Sequence, residues 1–379
     1  MCRSVDLCSS PLLVSCSTER SDRDRSPSHC SEGDVVSQKN HRGTACAGAL
    51  LACVTAFGGA LASPAAASPA SRPATPPPVS DFKGVNWADP RDNYAHDAVV
   101  PSGLATSDSY ATTYAKSKAI IGGFAELGAN TVRLPVNPTS VNGPFWKSYR
   151  GAIDAATAQG FKVILGYWEA DNAKDGKIDD QASWNQMWAR ITSAYNGNSK
   201  VYFEPMNEPF GYTAEEWTDI AAKWVTAHAN VPRDRVLIGG YKYSEDVKPV
   251  CADPRLKGVR LALHNYGFWH TDWTSVDQWK ADFKSRIGDC ASRTILDEFG
   301  ASMTTGLDYN GPVGSSNEIA YIQAATDTIR ELGLGSVYWP GLRNGDTYSL
   351  TTLQGTGTDL SLTVNNQSGL DRLHYAWKQ

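Results

Sequence analysis

The sequence predicts an α/β fold, a (β/α)8 TIM barrel that forms a single domain over residues 81–379. Short apolar runs rich in β-branched and aromatic residues alternate with helical patterns along this stretch. Eight such units within about 300 residues match the usual size of this barrel. A doubly wound open sheet is the alternative, but neither GxGxxG nor GxxxxGK[ST] follows any of the strands. The barrel is therefore the favoured architecture.

The predicted strands and helices follow from local patterns. The eight strands are predicted at 82–87, 130–136, 162–168, 200–208, 235–240, 259–266, 293–298 and 335–340. Thr213 with Glu216 is typical of a capping box at a helix start, and Ser315 with Glu318 has the same spacing. Gly333 is expected to end the helix that Ser315 begins, since glycine readily adopts the left-handed conformation found there.

The first 80 residues have the composition of an export segment. All twelve tryptophans come after them. Residues 1–67 are predicted to be an N-terminal extension and secretory signal peptide, because a weakly basic stretch precedes the run TACAGALLACVTAFGGALA. The Pro/Ala/Ser-rich residues 68–80 are predicted to be a spacer. A membrane anchor is the alternative, but the apolar run is rich in Ala and Gly. We therefore predict a secreted, extracellular protein without a membrane partner.

The charge and the cysteine content indicate which partners, disulfides and metal sites to expect. The net charge is −5 and no basic block follows residue 45, which argues against a nucleic-acid partner. Six of the eight cysteines precede the predicted cleavage sites, so Cys251 and Cys290 remain and are predicted to form a disulfide. The acidic stretch 171–180 lacks the closing Glu of a calcium loop. We predict neither a cofactor nor a metal.

Polar and aromatic side chains are concentrated where the predicted strands end. The loops after the strands build the functional face of such a barrel, so functional side chains should end strands. Glu208 is predicted to close the fourth strand and Glu298 the seventh. The other candidates at strand ends are Arg133, Asn207, His264, Tyr266 and Trp339. Two carboxylates at one barrel mouth are what glycosidic-bond cleavage needs, because one protonates the leaving oxygen while the other attacks or stabilises the anomeric carbon.

Six motifs carry a resemblance to a known family. FEPMNEPF (203–210) and LDEFG (296–300) resemble the acid/base and nucleophile motifs of glycoside hydrolase family 5, a cellulase-like family of clan A. The family's other strand-end signatures resemble GVNW (84–87), NTVRLPV (130–136), LHNY (263–266) and VYWP (337–340). The resemblance implies a retaining glycoside hydrolase that cleaves a β-linked poly- or oligosaccharide by double displacement.

The resemblance also implies a role for each catalytic candidate. Glu208 would be the general acid and then the general base, and Glu298 would be the nucleophile. Asn207 would hydrogen-bond the 2-hydroxyl of the substrate. Arg133 would keep Glu298 ionised, because a fixed cation lowers the pKa of a neighbouring carboxyl group.

Four aromatic residues would complete the substrate site. By the resemblance, Tyr266 would hydrogen-bond the nucleophile, and His264 would line the subsite near the acid/base. Trp339 would stack against the sugar ring. Many family members have a histidine directly after the third strand, where this sequence has Trp168. We expect Trp168 to form an aromatic wall there.

Several candidates also have a purely structural interpretation. Arg133 could instead pair with Glu204, which is expected to point into the barrel. His264 could be a core histidine that bonds a backbone carbonyl, and Trp339 could be plain barrel core. Asp297 is predicted to face away from the site because successive side chains of a strand alternate.

The substrate and mode of action stay open at this stage. The family contains β-glucanases, mannanases, chitosanases and exo-acting glycosidases, including furanosidases, and transglycosylation uses the same intermediate. A non-catalytic carbohydrate-binding barrel would need a lost carboxylate, and both Glu208 and Glu298 are present.

Long loops on the functional face predict a partly closed pocket, in which Arg343, Asp346 and Tyr348 bind a terminal sugar. These loops are 88–110, 299–317 and 341–364. The predicted partner is a carbohydrate, and the chain is expected to be a monomer.

Overall fold

Eight parallel strands form a nearly closed barrel in the computed structural model, which describes residues 76–91 and 94–379. The strands are β1 (Lys83–Trp87), β2 (Thr131–Val136), β3 (Lys162–Tyr167), β4 (Val201–Glu204), β5 (Leu237–Gly239), β6 (Arg260–His264), β7 (Thr294–Glu298) and β8 (Gly335–Leu342). Their order is β4-β3-β2-β1-β8-β7-β6-β5, and a bridge between Phe203 and Val236 joins β4 to the start of β5. The predicted barrel is confirmed. The predicted signal peptide and most of the predicted spacer lie outside the described residues.

Apolar side chains fill the barrel at the end where the strands begin. Because side chains alternate along a strand, each of β3 to β8 contributes one residue to this layer. The layer consists of Val79, Phe82, Ile164, Tyr202, Leu237, Ala262, Ile295 and Val337. The carbonyl oxygen of Pro77 accepts a hydrogen bond of 2.7 Å from Arg260 Nη2. Residues 77–79, within the predicted spacer, therefore contact the barrel.

The helices pack around the outside of the barrel. They are α1 (Tyr110–Glu126), α2 (Pro138–Asn142), α3 (Trp146–Ala158), α4 (Gln181–Tyr195), α5 (Ala214–Ala227), the single turn α6 (Tyr241–Ser244), α7 (Lys248–Ala252), α8 (Val276–Ile287), α9 (Asn317–Leu332) and α10 (Gln367–Trp377). Their apolar faces and the outward side chains of the strands form one large buried cluster. Across residues 76–91 and 94–379, none of the helices has the length and apolarity needed to cross a bilayer.

The predicted capping box at the start of α5 is confirmed. Thr213 Oγ1 accepts a hydrogen bond of 3.2 Å from the Glu216 amide, and Glu216 Oε2 accepts one of 2.8 Å from the Thr213 amide. The predicted box at α9 is wrong by one residue. The cap there is Ser316, whose hydroxyl accepts from the Ile319 amide. The C-terminal stop at Gly333 is confirmed by its left-handed conformation, with φ of 64°.

Strand β4 ends earlier than predicted. It stops at Glu204 because the next residue, Pro205, has no backbone N–H to continue the ladder. Glu208 therefore lies four residues beyond the strand. The intervening segment stays next to β3, since the Asn207 amide donates a hydrogen bond of 2.9 Å to the carbonyl oxygen of Tyr167. The segment after β4 thus still delivers Glu208 to the mouth of the barrel.

A β-bulge interrupts β7 directly before its last residue. Leu263 of β6 pairs with Leu296, but the next residue, His264, pairs with Glu298. Asp297 is therefore an extra residue in the ladder, and the alternation of side chains breaks there. Asp297 alternates with Ile295, which points into the barrel, so the prediction that Asp297 faces away from the site is wrong, and the bulge brings Glu298 to the same side. The buried carboxylate of Asp297 lies 3.6 Å from Arg133 Nε.

The long loop after β8 contains regular structure that the sequence analysis treats as loop. Strands β9 (Thr351–Thr356) and β10 (Asp359–Val364) form an antiparallel hairpin. Leu362 of β10 packs so closely on Gly123 of α1 that a Cβ at Gly123 would come within 2.9 Å of it. The hairpin therefore attaches the C-terminal part of this loop to the outer helices.

The predicted disulfide between Cys251 and Cys290 is confirmed. It joins α7 to the segment that leads into β7, and the two cysteines are 39 residues apart in sequence.

Replacing both cysteines by serine should lower the free energy of unfolding by roughly 4 kcal/mol, because an uncrosslinked loop of this length gains entropy in the unfolded chain. Urea unfolding of the two proteins without reductant measures the difference. Thiol titration of the secreted, denatured wild-type protein, which has lost the six cysteines before the predicted cleavage sites, is the control, and two reactive thiols there would contradict the prediction.

Candidate active site

Arg133 of β2 is the centre of a buried hydrogen-bond network above the apolar layer. Its side chain is inaccessible to solvent, and all five of its N–H donors have acceptors. Nε and Nη2 bind the two oxygens of Glu204, each at 2.6 Å. Nη1 donates to Asn86 at 3.0 Å and to Glu298 at 2.5 Å, and Nη2 also donates to Asn207 at 2.6 Å. Both expected partners, Glu204 and Glu298, thus contact the same guanidinium.

The network fixes the orientation of Asn207. Because Arg133 has only donors, the oxygen of the Asn207 amide must face it. The NH2 group of Asn207 is then the end that can donate to a ligand. Sequence reasoning missed Asn86, although a polar residue inside the apolar first strand was a usable signal.

Glu298, at the end of β7, is 4% exposed and is held from two sides. Its Oε1 accepts from Arg133, and its Oε2 accepts a hydrogen bond of 2.9 Å from the Tyr266 hydroxyl. Burial raises the pKa of Glu298 to about 7, against the opposing influence of Arg133 and Tyr266, both of which favour the charged form. The carboxylate of Glu298 is therefore a stronger base than that of an ordinary glutamate.

Glu208 contacts the imidazole of His264. His264 Nδ1 lies 2.9 Å from Glu208 Oε1, and the ring is fully buried. Burial and the charge of Arg133 keep the pKa of His264 well below its usual value, so the ring is neutral. Carboxylate oxygens of Glu208 and Glu298 lie within 4.8 Å of each other. The two acids therefore face a common space.

That space is a cavity of about 500 Å³ at the mouth of the barrel. The predicted residues that line it are Glu208, Tyr266, Glu298 and Trp339 at the strand ends, and Arg343, Asp346 and Tyr348 in the loop after β8. Arg133 and His264 lie behind the two acids, and Asn207 lines a small recess next to Glu208. The volume is within the range of sites that take small ligands.

Trp168 lies behind Trp339 and does not form a wall of this cavity. It is 2% exposed, and its ring stacks on that of Trp339 with centroids 6.1 Å apart. The guanidinium carbon of Arg133 lies 4.4 Å from the centroid of the Trp168 ring. Trp168 thus separates the charged network from Trp339 and supports Trp339 from beneath.

Two exposed aromatic residues that sequence reasoning missed also line the cavity. Phe268 is 55% exposed and stacks on Tyr266, with centroids 4.9 Å apart. Tyr243 is 44% exposed and stacks on Phe210 at 4.4 Å. The run GFWH after the sixth strand was a signal for Phe268, but nothing in the sequence marks Tyr243.

A strained turn holds Tyr243 in place. The residues on either side of it, Lys242 and Ser244, have φ of 59° and 55°, which is costly for side chains other than glycine. The Ser244 hydroxyl donates a hydrogen bond of 2.7 Å to the carbonyl oxygen of Asn207. The turn is therefore attached directly to the segment that carries Glu208.

A family model described as cellulase (glycosyl hydrolase family 5) matches residues 93–343, about two thirds of the chain. The chain belongs to glycosyl hydrolase family 5. This confirms the resemblance drawn from its motifs. Membership makes the chain a glycosidase, an enzyme that hydrolyses O-glycosyl bonds.

Two curated relatives show how far the similarity extends. The manganese dependent endoglucanase Eg5A of Phanerodontia chrysosporium is 25% identical over 334 residues, which cover 78% of this chain and 82% of that protein. Endoglucanase H of Acetivibrio thermocellus is 26% identical over 163 residues, which cover 39% of this chain but 18% of that protein. The chain thus spans less than a fifth of the length of endoglucanase H.

A solved endocellulase structure shares the fold. An endocellulase from Pyrococcus horikoshii, in complex with cellotetraose, superposes with a TM-score of 0.57 at 15% sequence identity. The match covers 77% of this chain and 92% of the endocellulase. At this identity the likeness concerns the barrel alone.

The acidic residues of the site do not have the character of a metal centre. Two groups of described residues bring an imidazole and two carboxylates together, namely Glu204, His264 and Asp297, and Glu208, His264 and Glu298. In both groups Arg133 already donates to one of the carboxylates. A guanidinium at this position would repel a cation, so the donor set fits an ion-pair network.

Proposed function

We propose that this chain is a retaining glycoside hydrolase in which Glu298 is the nucleophile and Glu208 the general acid/base. The observation that carries the proposal is the closeness of the two acids, since one oxygen of Glu208 lies within 4.8 Å of one oxygen of Glu298. Retaining enzymes hold their carboxyl groups about 5–5.5 Å apart, whereas inverting enzymes need about 6.5–9.5 Å to admit a water molecule. The separation supports direct attack by a carboxylate.

The reaction takes two displacements. A Glu298 oxygen attacks the anomeric carbon and forms a glycosyl ester, while the bond to the leaving oxygen breaks and Glu208 transfers its proton to that oxygen. In the second step the Glu208 carboxylate accepts a proton from water. The water oxygen attacks the anomeric carbon, and Glu298 leaves as a carboxylate.

The neighbouring residues support these two roles. Arg133 and Tyr266 hold both oxygens of Glu298, which fixes the direction of its attack. Asn207, oriented by Arg133, would donate to the 2-hydroxyl of the bound sugar, an interaction that strengthens in the transition state. Trp339 would provide the face on which the sugar ring stacks.

We propose a β-linked glucan or gluco-oligosaccharide as the substrate. The names of both curated relatives say that they are endoglucanases, and the Pyrococcus enzyme is an endocellulase bound to cellotetraose.

We further propose that a monomer acts outside the cell. The signal-like N-terminal segment and the disulfide support export, since disulfides persist in oxidising compartments.

The full chain, incubated with a panel of soluble β-glycans, tests the function. We expect activity on β-glucans, and the first product seen by NMR should have the β-configuration of the substrate. A first product with the α-configuration would overturn the retaining mechanism. Absence of turnover on every β-glycan would overturn the proposed substrate class.

The pH dependence should show the raised pKa of Glu298. Only the ionised form attacks, so kcat/KM should fall as pH decreases through the Glu298 pKa of about 7. Removing the Tyr266 hydroxyl destabilises the charged form, so Tyr266→Phe should move this acidic limb to higher pH. Tyr110→Phe, at an exposed tyrosine of α1, is the control. An acidic limb at the ordinary pKa of glutamate that does not move in Tyr266→Phe would contradict the prediction.

Exo action is a second candidate, favoured by contacts between three loops. Arg343, after β8, donates to the carbonyl oxygen of Asp89, after β1, at 3.3 Å. The Tyr94 amide, in the same loop after β1, donates to the carbonyl oxygen of Glu169, after β3, at 3.2 Å. These contacts join the three loops to one another, and Arg343 among them lines the cavity. Loops joined in this way support a site that ends at the terminal sugar.

The products formed first distinguish exo from endo action. Arg343 and Asp346 line the cavity and pair with each other at 2.6 Å, so they could bind hydroxyls that only a chain end leaves free. For an exo-enzyme we expect mono- or disaccharide from the earliest time points and little loss of viscosity on a soluble β-glucan. An early series of longer oligosaccharides with a fast fall in viscosity would instead identify an endo-enzyme.

A further inference from the structure

Asp297 is a buried acid that the proposed mechanism does not use. Its side chain is inaccessible to solvent, and neither carboxylate oxygen has a hydrogen-bond donor among the described residues. Oδ1 lies 3.5 Å from His264 Nε2, and Oδ2 lies 3.6 Å from Arg133 Nε. His264 Nε2 also lacks a hydrogen-bond partner there. Two unsatisfied polar groups thus face each other directly behind the acid/base.

The charges around Asp297 determine its protonation state. The groups that face it are Arg133 from β2, Glu204 from β4, His264 from β6 and Glu298 from β7. If all three carboxylates were ionised, the single guanidinium would leave two negative charges uncompensated in a buried space. Such an arrangement is costly, and protonation of one carboxyl relieves it.

Asp297 is the carboxyl best placed to hold that proton. Glu204 accepts two hydrogen bonds from Arg133, and Glu298 accepts from Arg133 and Tyr266. Both of their charges are therefore stabilised by donors, and that of Asp297 is not. Burial, reinforced by the charge of Glu204, raises the pKa of Asp297 well above its ordinary value.

We propose that Asp297 is a neutral carboxylic acid whose O–H donates to His264 Nε2 and thereby positions the acid/base Glu208. A neutral imidazole has one N–H. If Nε2 accepts from Asp297, that N–H must be on Nδ1, where it donates to Glu208 Oε1 at 2.9 Å. The chain Asp297–His264–Glu208 then holds the carboxylate of Glu208 in one orientation. Asp297 is a positioning residue, and the inference rests on the proposed role of Glu208.

The β7 bulge makes this arrangement possible. Ile295 of the same strand points into the barrel, so regular alternation would turn Asp297 inward and Glu298 toward the outer helices. With it, Asp297 and Glu298 point into the same space, where one is neutral and the other is charged. Two adjacent acids thereby act separately: Glu298 is the nucleophile, and Asp297 positions the acid/base Glu208.

The first test is the tautomer of His264. In 15N-labelled full-length protein at neutral pH, we expect the long-range 1H–15N spectrum to place the His264 proton on Nδ1. His264→Gln provides the assignment. A proton on Nε2 would mean that Asp297 is ionised and accepts from the ring, which would overturn the proposal. This measurement needs no turnover, so it is independent of whether the proposed function holds.

The second test compares two substitutions of nearly equal size. Asp297→Asn keeps a donor for Nε2 and the neutral charge, so its kcat and the acidic limb of kcat/KM should remain close to those of the wild type. Asp297→Leu removes the donor, and its kcat on a β-glucan should fall about tenfold or more. A shift of the acidic limb in Asp297→Asn to lower pH by about one unit would show that a negative charge has been lost. That shift, or full activity in Asp297→Leu, would overturn the proposal.

Two further variants, one at the surface and one at the nucleophile, distinguish failure of the proposed function from failure of the inference about Asp297. Asp154→Asn, on the outer helix α3, is the matched control and should behave as the wild type in both kinetic measurements. If Glu298→Ala keeps its activity, the proposed function fails whatever Asp297 does. If Glu298→Ala is inactive while Asp297→Leu is fully active, only the inference about Asp297 fails.

Discussion

Glu298→Ala should lower kcat by about 10⁴-fold or more on every substrate, because no other group can form the glycosyl ester. Within the cavity described above, the neighbouring carboxylate is Glu208, which is committed to proton transfer. Turnover of an aryl glycoside with a good leaving group and of a β-glucan should be lost equally. Glu126→Ala, at the exposed end of α1, is the control and should retain full activity.

Glu208→Ala should behave differently with the two substrates. Turnover of the β-glucan should fall by about 10²–10⁴-fold, since its leaving oxygen needs a proton. The first step with a good leaving group should be largely spared, and added azide should then capture the intermediate as a β-glycosyl azide. If the azide product formed with Glu298→Ala and not with Glu208→Ala, the two roles would have to be exchanged.

Arg133→Met should lower the free energy of unfolding by about 3–5 kcal/mol, because it leaves buried carboxylates without their cation. The folded fraction of this variant should also be inactive, since the orientation of Glu298 and Asn207 depends on Arg133. Urea unfolding and residual kcat measure the two effects.

Two comparisons distinguish this buried network from ordinary ion pairing. Adding Glu204→Leu to Arg133→Met removes one unpaired charge, so stability should recover in part while activity does not. Arg255→Met breaks exposed ion pairs with Asp219 and Asp253, so it should lower the free energy of unfolding far less than Arg133→Met does. A similar loss of stability in Arg255→Met and Arg133→Met would contradict the claim that the buried arginine contributes more to stability than an exposed one.

Periodicity and strand-end chemistry were sufficient to predict the barrel and most of its site. The strands are short and apolar, and the acids that follow the fourth and end the seventh are brought to one mouth because all parallel strands end on the same face. The position of the fourth strand's end was not predicted correctly. Pro205 was visible in the sequence, but the pattern of apolar residues continued past it.

The residues that were misplaced depend on tertiary contacts. Nothing local to LDEFG shows that β7 contains a bulge, because the bulge is defined by its pairing with β6. Trp168 was expected at the cavity surface, but Trp339, distant in sequence, stacks on it. Tyr243 lies on a turn whose conformation depends on a hydrogen bond to Asn207. Single-sequence patterns contain no information about such pairings.

The apolar layer at the other end of the barrel has a consequence for how this enzyme could change. Ile295 belongs to that layer, and Glu298 on the same strand belongs to the charged end. Substitutions that build new specificity around the cavity usually cost stability, and a well-packed region remote from the cavity can absorb that cost. Substitutions at the mouth leave the packing of the layer beneath it largely unchanged. Substitutions are thus tolerated best at the mouth end of each strand, which favours the acquisition of new substrates by the same barrel.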